Sequence, residues 1–245
     1  MSGNNGLAAV ILAAGQGTRM KSDMAKVLHQ LCGRPMIRYV VDAAGSIDPE
    51  RIILVVGYQA EAVMKEMDGE DVEFALQEER LGTGHAVLQA GSLLEGFSGT
   101  VMVLTGDTPL LRSVTLAALL ETHRDSCASA TVLSAVLEDA TGYGRIIKDK
   151  QGQFLKIVEH KDASDDEKKV NEINSGIFCF ESRDLFSALA GVGKENAQGE
   201  YYLTDVMSIL REEGRKTVVH LCLDRQEVMG INDVDQLKEA ERLMN

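Results

Sequence analysis

The sequence predicts an α/β fold: a mostly parallel, doubly wound sheet with helices packed on its faces. Short, continuous apolar runs, the mark of strands buried on both sides, alternate with segments whose apolar residues fall at helical spacing. A β-α-β-α order of this kind closes into a parallel sheet through right-handed crossovers. Aromatic residues are only 4% of a chain that is 44% hydrophobic, and Trp is absent. The core must therefore come from Val, Ile, Leu, Ala and Met, the usual material of helices on a parallel sheet.

The elements follow in order. Residues 7–13 (LAAVILA) form a first buried strand, and residues 36–44 (MIRYVVDAA) a helix with Pro35 at a first-turn position. Residues 51–56 (RIILVV) are a second strand ended by Gly57, and residues 60–67 a helix. Residues 72–76 are a third strand, 84–94 a helix, 100–104 (TVMVL) a fourth strand and 114–123 a helix. The second half changes character. Residues 130–137, 144–147, 154–158 and 173–180 are strand-like among polar turns, with fewer recognisable crossover helices. The charge run 162–169 (DASDDEKK) reads as a solvated loop or helix start. Residues 233–244 are a closing amphipathic helix with Asn232 or Asp233 near its cap. There is no repeat and no Pro/Gly/Ser-rich linker, which predicts one domain over residues 1–245 with a substrate-side region after about residue 125.

Charge and cysteines narrow the functional classes. A formal charge of −13 and a pI near 4.9 argue against general binding of nucleic acid or anionic membrane, which needs a basic surface. A small anionic ligand needs only a local cluster of cations. Cys32, Cys127, Cys179 and Cys222 are scattered, with no C-x-x-C pair to suggest zinc or thiol–disulfide chemistry. The start MSGNNGLAAV has no basic signal-peptide region, and no apolar run approaches the roughly 20 residues that span a bilayer. A reduced, soluble, cytoplasmic protein is expected.

In open α/β sheets ligands sit beyond the carboxyl ends of the strands, so chemistry should follow each strand. After the first comes Ala14-Gly15-Gln16-Gly17-Thr18-Arg19, with Lys26 close behind. Small residues leave backbone N–H groups accessible in a nest that takes phosphate, and the two cations add charge. The spacing is neither the Walker pattern nor the dinucleotide fingerprint. After the third strand come Gln77 and Leu81-Gly82-Thr83-Gly84-His85, polar groups that can read a base edge. After the fourth comes Thr105-Gly106-Asp107, a carboxylate placed to hold Mg²⁺ beside substrate phosphates. Later segments add Gly144, Glu159, Asn174 and Asn232. Read singly, each has a plainer alternative: a β–α turn, a helix cap for Asp107 or Asn232, a surface ion pair for Glu159, a turn for Asn174. No Ser, His or Cys triad is readable. Together the parts suit phosphoryl or nucleotidyl transfer.

The motifs LAAGQGTRMKS, KVLH, LQEERLGTGHA, LTGDTPL, TGYGRI, IVEHKDAS, EINSGIF, NAQGEYYLTD and GIND occur in this order. Over about residues 6–243 the chain closely resembles the uridyltransferase domain of bacterial N-acetylglucosamine-1-phosphate uridyltransferases, within the sugar nucleotidyltransferase superfamily. The resemblance implies a Rossmann-like mixed sheet of the nucleotide-diphospho-sugar transferase type. It implies a nucleotide-binding part at about 6–125, a sugar-binding part at about 126–232 and a C-terminal helix at 233–245. It places Leu12, Ala13, Ala14, Gly15, Gly17, Thr18 and Thr105 on the nucleotide and gives uracil selection to Gln77, Gly82 and Thr83. It gives catalysis to Arg19 and Lys26, Mg²⁺ to Asp107 and Asn232, and the sugar to Gly144, Glu159 and Asn174. The implied substrates are UTP and N-acetylglucosamine 1-phosphate, the products the UDP-sugar and pyrophosphate.

Three departures stand beside the resemblance. Ala25 occupies the place where the family usually has Pro before the catalytic lysine, freeing a backbone angle beside Lys26. Thr105 stands where the family often has Tyr, which leaves the sugar and nucleotide preference open. No hexapeptide-repeat segment follows residue 244, so neither an acetyltransferase activity nor a β-helix that would trimerise the chain is expected from these residues. Two other readings remain: the same chemistry on another sugar 1-phosphate, such as glucose 1-phosphate, or another nucleotide; and an inactive sugar-nucleotide-binding regulator.

Overall fold

The computed structural model describes residues 6–244; residues 1–5 and 245, the ends of the predicted domain, lie outside the described residues. The spine is a sheet of nine strands. Its first half is β1 (Gly6–Ala13), β4 (Arg51–Val56), β5 (Glu73–Leu76) and β6 (Gly99–Thr105), all parallel, and the neighbours run β6-β1-β4-β5. The second half continues from β6 through β10 (Glu172–Glu181) to β7 (Ala130–Val136) and the edge strand β11 (Thr217–Leu221). β10 is antiparallel to both neighbours, so it alone is reversed along this path. The hairpin β8 (Arg145–Lys148) and β9 (Phe154–Val158) branches off β10. A two-residue hairpin, β2 (Gln30–Leu31) with β3 (Arg34–Pro35), stands apart.

β1 shows why a continuous apolar run is needed. Leu7, Ala9, Ile11 and Ala13 face one layer, made by α1 (Met36–Gly45), α2 (Ala60–Glu66) and α4 (Ser113–Asp125), through Ile37, Val40, Val63, Leu116 and Leu119. Ala8 and Val10 face the other, made by α3 (Thr83–Gln89), α5 (Ser182–Leu189) and α6 (Thr204–Glu212), through Val87, Leu185, Val206 and Leu210. Side chains alternate along a strand, so a strand sandwiched between helical layers must be apolar at every position. α7 (Val234–Met244) seats Ala240 in a small third cluster with Leu31, Met36 and Ile231.

The predicted strands and helices of the first half are present within a residue or two, except that the helix at 84–94 ends at Gln89 and continues as a 3-10 turn, Ala90–Ser92. Pro35 closes β3 and precedes α1 as its cap rather than sitting inside its first turn. The second half differs more. α5, α6 and β11 were not predicted, and β10 joins the two halves in reverse, which makes the sheet mixed. Gly144 lies just before β8, not in it. The charge run carries a 3-10 turn, Glu167–Lys169, and is tied down. Ser164 and Glu167 cap each other reciprocally, the Ser164 N–H donating to Glu167 Oε2 at 2.9 Å and the Glu167 N–H to Ser164 Oγ at 3.3 Å. All four cysteines are free.

Candidate active site

The carboxyl ends of β1, β5 and β6 open onto two adjoining clefts. One, of about 270 Å³, is lined by Leu12, Ala14, Gln77, Gly82, Thr83 and Thr105 among others; Lys26, Asp107 and Gly15 also reach it. The second, of about 570 Å³, is bounded by Gly17, Thr18, Arg19 and Asn232, and shares Gly15 and Lys26 with the first. Thirteen residues singled out in the sequence thus meet on one face. Of those given to the nucleotide, to catalysis or to the metal, Ala13 alone lies elsewhere: it is buried in the core and lines neither cleft.

The glycines of the first loop act differently. A Cβ built on Gly15 meets nothing within 4 Å, so its backbone faces open space where a ligand can approach. Gly17 has φ +69°, and a Cβ there would lie 2.6 Å from Lys26 Cβ. Gly17 is therefore needed to let the lysine stem pass, a role the sequence pattern did not disclose.

Beyond Gly17 the polar groups converge. The Lys26 ammonium donates to Asp107 Oδ2 and, at 2.7 Å, to Asn232 Oδ1. Arg19 Nη2 donates to the same Asn232 oxygen at 3.0 Å. Asn232 is turned that way by its amide, which donates to the Gly230 carbonyl at 3.0 Å, and the Ile231 N–H bonds the Asp107 carbonyl at 2.8 Å. The loop before α7 is thus stitched to the end of β6. A carboxylate and an amide oxygen already meet on one cation, and such hard oxygen donors fit Mg²⁺, which takes few protein ligands and fills its shell with water and phosphate. Among the described residues no group of three or more His, Cys, Asp or Glu could hold a metal by itself.

At the other end, Gln77 is buried. Its amide nitrogen lies 3.1 Å from the Gly82 carbonyl, which can only accept, and 3.1 Å from His85 Nδ1. The donor end of the amide is thereby engaged inside the protein. Gly82, at φ +110°, packs so closely on the Tyr201 carbonyl that a Cβ would come within 2.6 Å of it. Gly84 N–H bonds the same carbonyl at 2.8 Å, and Thr83 Oγ1 accepts from Leu203 N–H at 3.0 Å. The segment 196–205 is therefore strapped across the G-T-G-H turn.

That strap leads to a separate cluster. Thr204 Oγ1 donates to Glu159 Oε1 at 3.2 Å, and Glu159 lies against Gly144, whose added Cβ would be 3.2 Å from the same oxygen. The Asn174 N–H bonds the Gly144 carbonyl at 2.9 Å at a bulge of β10. Burial raises the Glu159 carboxyl above its ordinary value, and the neighbouring acids Asp205, Asp162 and Glu200 push the same way. Gly176, at φ +81°, packs on Thr105, joining this cluster to the first cleft. Gly144, Glu159 and Asn174 are brought together, but line neither of the two clefts.

The sequence reading missed three side chains. Arg80 borders both clefts, with Nη1 3.4 Å from Gln16 Oε1 and its guanidinium 5.7 Å from the Tyr58 ring centre. Glu200 borders the first cleft. Tyr143, its phenol raised chiefly by burial, lies near the Gly230 backbone and feels Asp107 and Arg19. Arg80 and Tyr143 lie inside quoted motifs, and their charge and hydroxyl were the available signals.

A glycine loop, converging cations and a carboxylate at the ends of parallel strands have the chemistry that nucleotide phosphates call for. Residues 9–212 match the MobA-like NTP transferase domain family, and the chain belongs to that family. It is 55% identical over 236 residues to the bifunctional protein GlmU of Brevibacillus brevis, covering 96% of this chain and 51% of that protein. It is 52% identical over 235 residues to bifunctional GlmU of Lactobacillus delbrueckii subsp. bulgaricus, covering 96% and 51%. Against the Enterococcus faecalis protein of the same name it is 50% identical over 237 residues, covering 97% and 52%. The chain spans about half the length of these relatives.

Proposed function

We propose that the chain transfers UMP from UTP to N-acetylglucosamine 1-phosphate, releasing pyrophosphate, with Mg²⁺ as cofactor. The carrying observation is the convergence of Lys26, Arg19, Asp107 and Asn232 beside an open glycine loop and a base-sized cleft. A sugar-phosphate oxygen attacks the α-phosphorus in line, and the bond from that phosphorus to the pyrophosphate oxygen breaks. No proton need move and no enzyme-bound intermediate forms. The backbone N–H groups of residues 14–18 cradle the phosphates. Arg19 and Lys26 offset the charge that grows on pyrophosphate, and Arg80 adds a third cation at the mouth. Asp107 and Asn232 would hold Mg²⁺, which supplies charge neutralisation between the two reacting phosphates. Gln77, its donor end engaged, presents its carbonyl oxygen to the N3–H of uracil, a donor that cytosine lacks.

Residues 6–125 serve the nucleotide and residues 126–232 the sugar. Gly144, Glu159 and Asn174 contact the acetamido sugar across the strap at 196–205. Thr105, packed on Gly176, keeps a second sugar 1-phosphate in play, because it leaves a smaller surface than an aromatic ring would. No described helix is long and apolar enough to cross a membrane. A cytoplasmic site of action is part of the proposal.

Asp107→Asn tests the reading. It keeps the size of the side chain and removes the charge. Mg²⁺-dependent turnover should fall by about a thousandfold with the circular dichroism spectrum unchanged. Wild-type turnover and Mg²⁺ dependence in the variant would contradict the metal assignment.

A further inference from the structure

Lys26 leaves the chain at the start of a 3-10 turn, Lys26–Leu28, after an irregular loop with no strand or helix hydrogen bonding of its own. Its backbone direction is set by the residue before it. Ala25 is fully buried and has φ −54° and ψ 135°, an extended geometry whose φ is one that a proline ring would fix. No ring imposes it here. Instead the Ala25 N–H donates to Gln59 Oε1 at 2.8 Å, while Gln59 Nε2 donates to the Asp23 carbonyl at 2.6 Å. One side-chain amide thus grips the loop at two points, immediately ahead of the lysine, as the backbone of a neighbouring strand would.

Gln59 is itself rigidly based. It sits at φ +51°, a left-handed conformation uncommon outside glycine. The turn that holds it is docked on the nucleotide loop: the Tyr58 N–H bonds the Ala14 carbonyl at 3.2 Å, and Gly57 packs against Ala14 and the Gln77 carbonyl. Although it precedes α2, its side chain makes no capping bond to that helix, and the residue is exposed. Neither helix capping nor core packing accounts for it.

We infer that Gln59 is a positioning residue for Lys26, supplying through hydrogen bonds the restraint that Ala25 lacks. The inference rests on the proposed role of Lys26 at the triphosphate. It also predicts a specific rescue: proline at position 25 carries its own restraint and has no N–H to leave unpaired, so Gln59 becomes dispensable.

The experiment is a double-mutant cycle on the whole chain with Gln59→Ala, Ala25→Pro and the pair, with Lys26→Ala alongside. Gln59→Ala should lower kcat about tenfold, with the KM for the sugar phosphate and the melting temperature little changed. Ala25→Pro puts its ring carbon where the N–H now meets Gln59 Oε1 and must displace that exposed side chain, so alone it should turn over at or somewhat below the wild-type rate, whereas the pair, which removes the clash, should return to within about twofold of the wild type. A wild-type kcat in Gln59→Ala, or a loss that proline does not repair, would overturn the inference. Should Ala25→Pro fail to fold, amide exchange decides: the Ala25 N–H must exchange faster in Gln59→Ala than in the wild type, and equal rates would overturn it. An active Lys26→Ala would instead strike the reading of Lys26 itself.

Discussion

Lys26 is held at both ends, its ammonium by Asp107 and Asn232 and its stem by the bare backbone of Gly17. Gly17→Ala would therefore push a methyl group into the lysine Cβ at a left-handed position. It should cost about 1–2 kcal/mol of stability and lower kcat at least about tenfold, read from a denaturant midpoint and from initial rates. Arg80 is exposed and bonds only weakly to Gln16, so it can turn to phosphate. Arg80→Gln should raise the KM for UTP about threefold to tenfold with kcat nearly unchanged, an effect that fades at high salt. Lys26, Asp107 and Asn232 were legible in the sequence because each follows a strand or precedes a helix in a recognisable pattern. Arg80 was not, because the glycines of its motif explain the turn without it. Ala13 was misjudged for a geometric reason: adjacent strand residues face opposite ways, so Leu12 and Ala14 reach the cleft while Ala13 enters the core.

The strap at 196–205 is the element that joins the G-T-G-H turn to the Glu159 cluster. Leu203 is 2% exposed, and its N–H depends on the Thr83 hydroxyl. Thr83→Val keeps the shape and leaves that N–H unpaired, which should destabilise the fold by about 1–3 kcal/mol and raise the KM for both substrates. The charge run supplies a pH test. Hydrogen bonds from Lys156 and then from Ser164 hold Glu167 down from 4.5 to about 2. A depressed carboxylate stabilises the fold above its ordinary value and loses that contribution as pH falls toward the depressed one. Acid titration of the wild type should show such a loss between pH 4.5 and about 2, and Glu167→Gln should remove it. The strap and α6 were hard to read because residues 196–205 carry a motif that reads as a loop. Yet Val206, Met207 and Leu210 show the helical spacing just beyond it.

Across the whole molecule, a net charge of −13 coexists with a local cluster of cations, because Arg19, Lys26 and Arg80 gather at the ends of parallel strands. The first half of the sheet was legible from its apolar runs and βα alternation, since strands buried on both faces admit little else. The reversal of β10 was not, because pairing direction between distant strands leaves no mark in their composition. The proposed substrate pair is read out in a single assay, pyrophosphate release in Mg²⁺ with UTP or CTP against N-acetylglucosamine 1-phosphate or glucose 1-phosphate. Release should be fast with UTP and the acetamido sugar and slow with every other pair. Faster release with another pair would contradict the roles given to Gln77, Glu159 and Asn174. No release from any pair, by folded protein that still binds a UDP-sugar, would contradict catalysis itself.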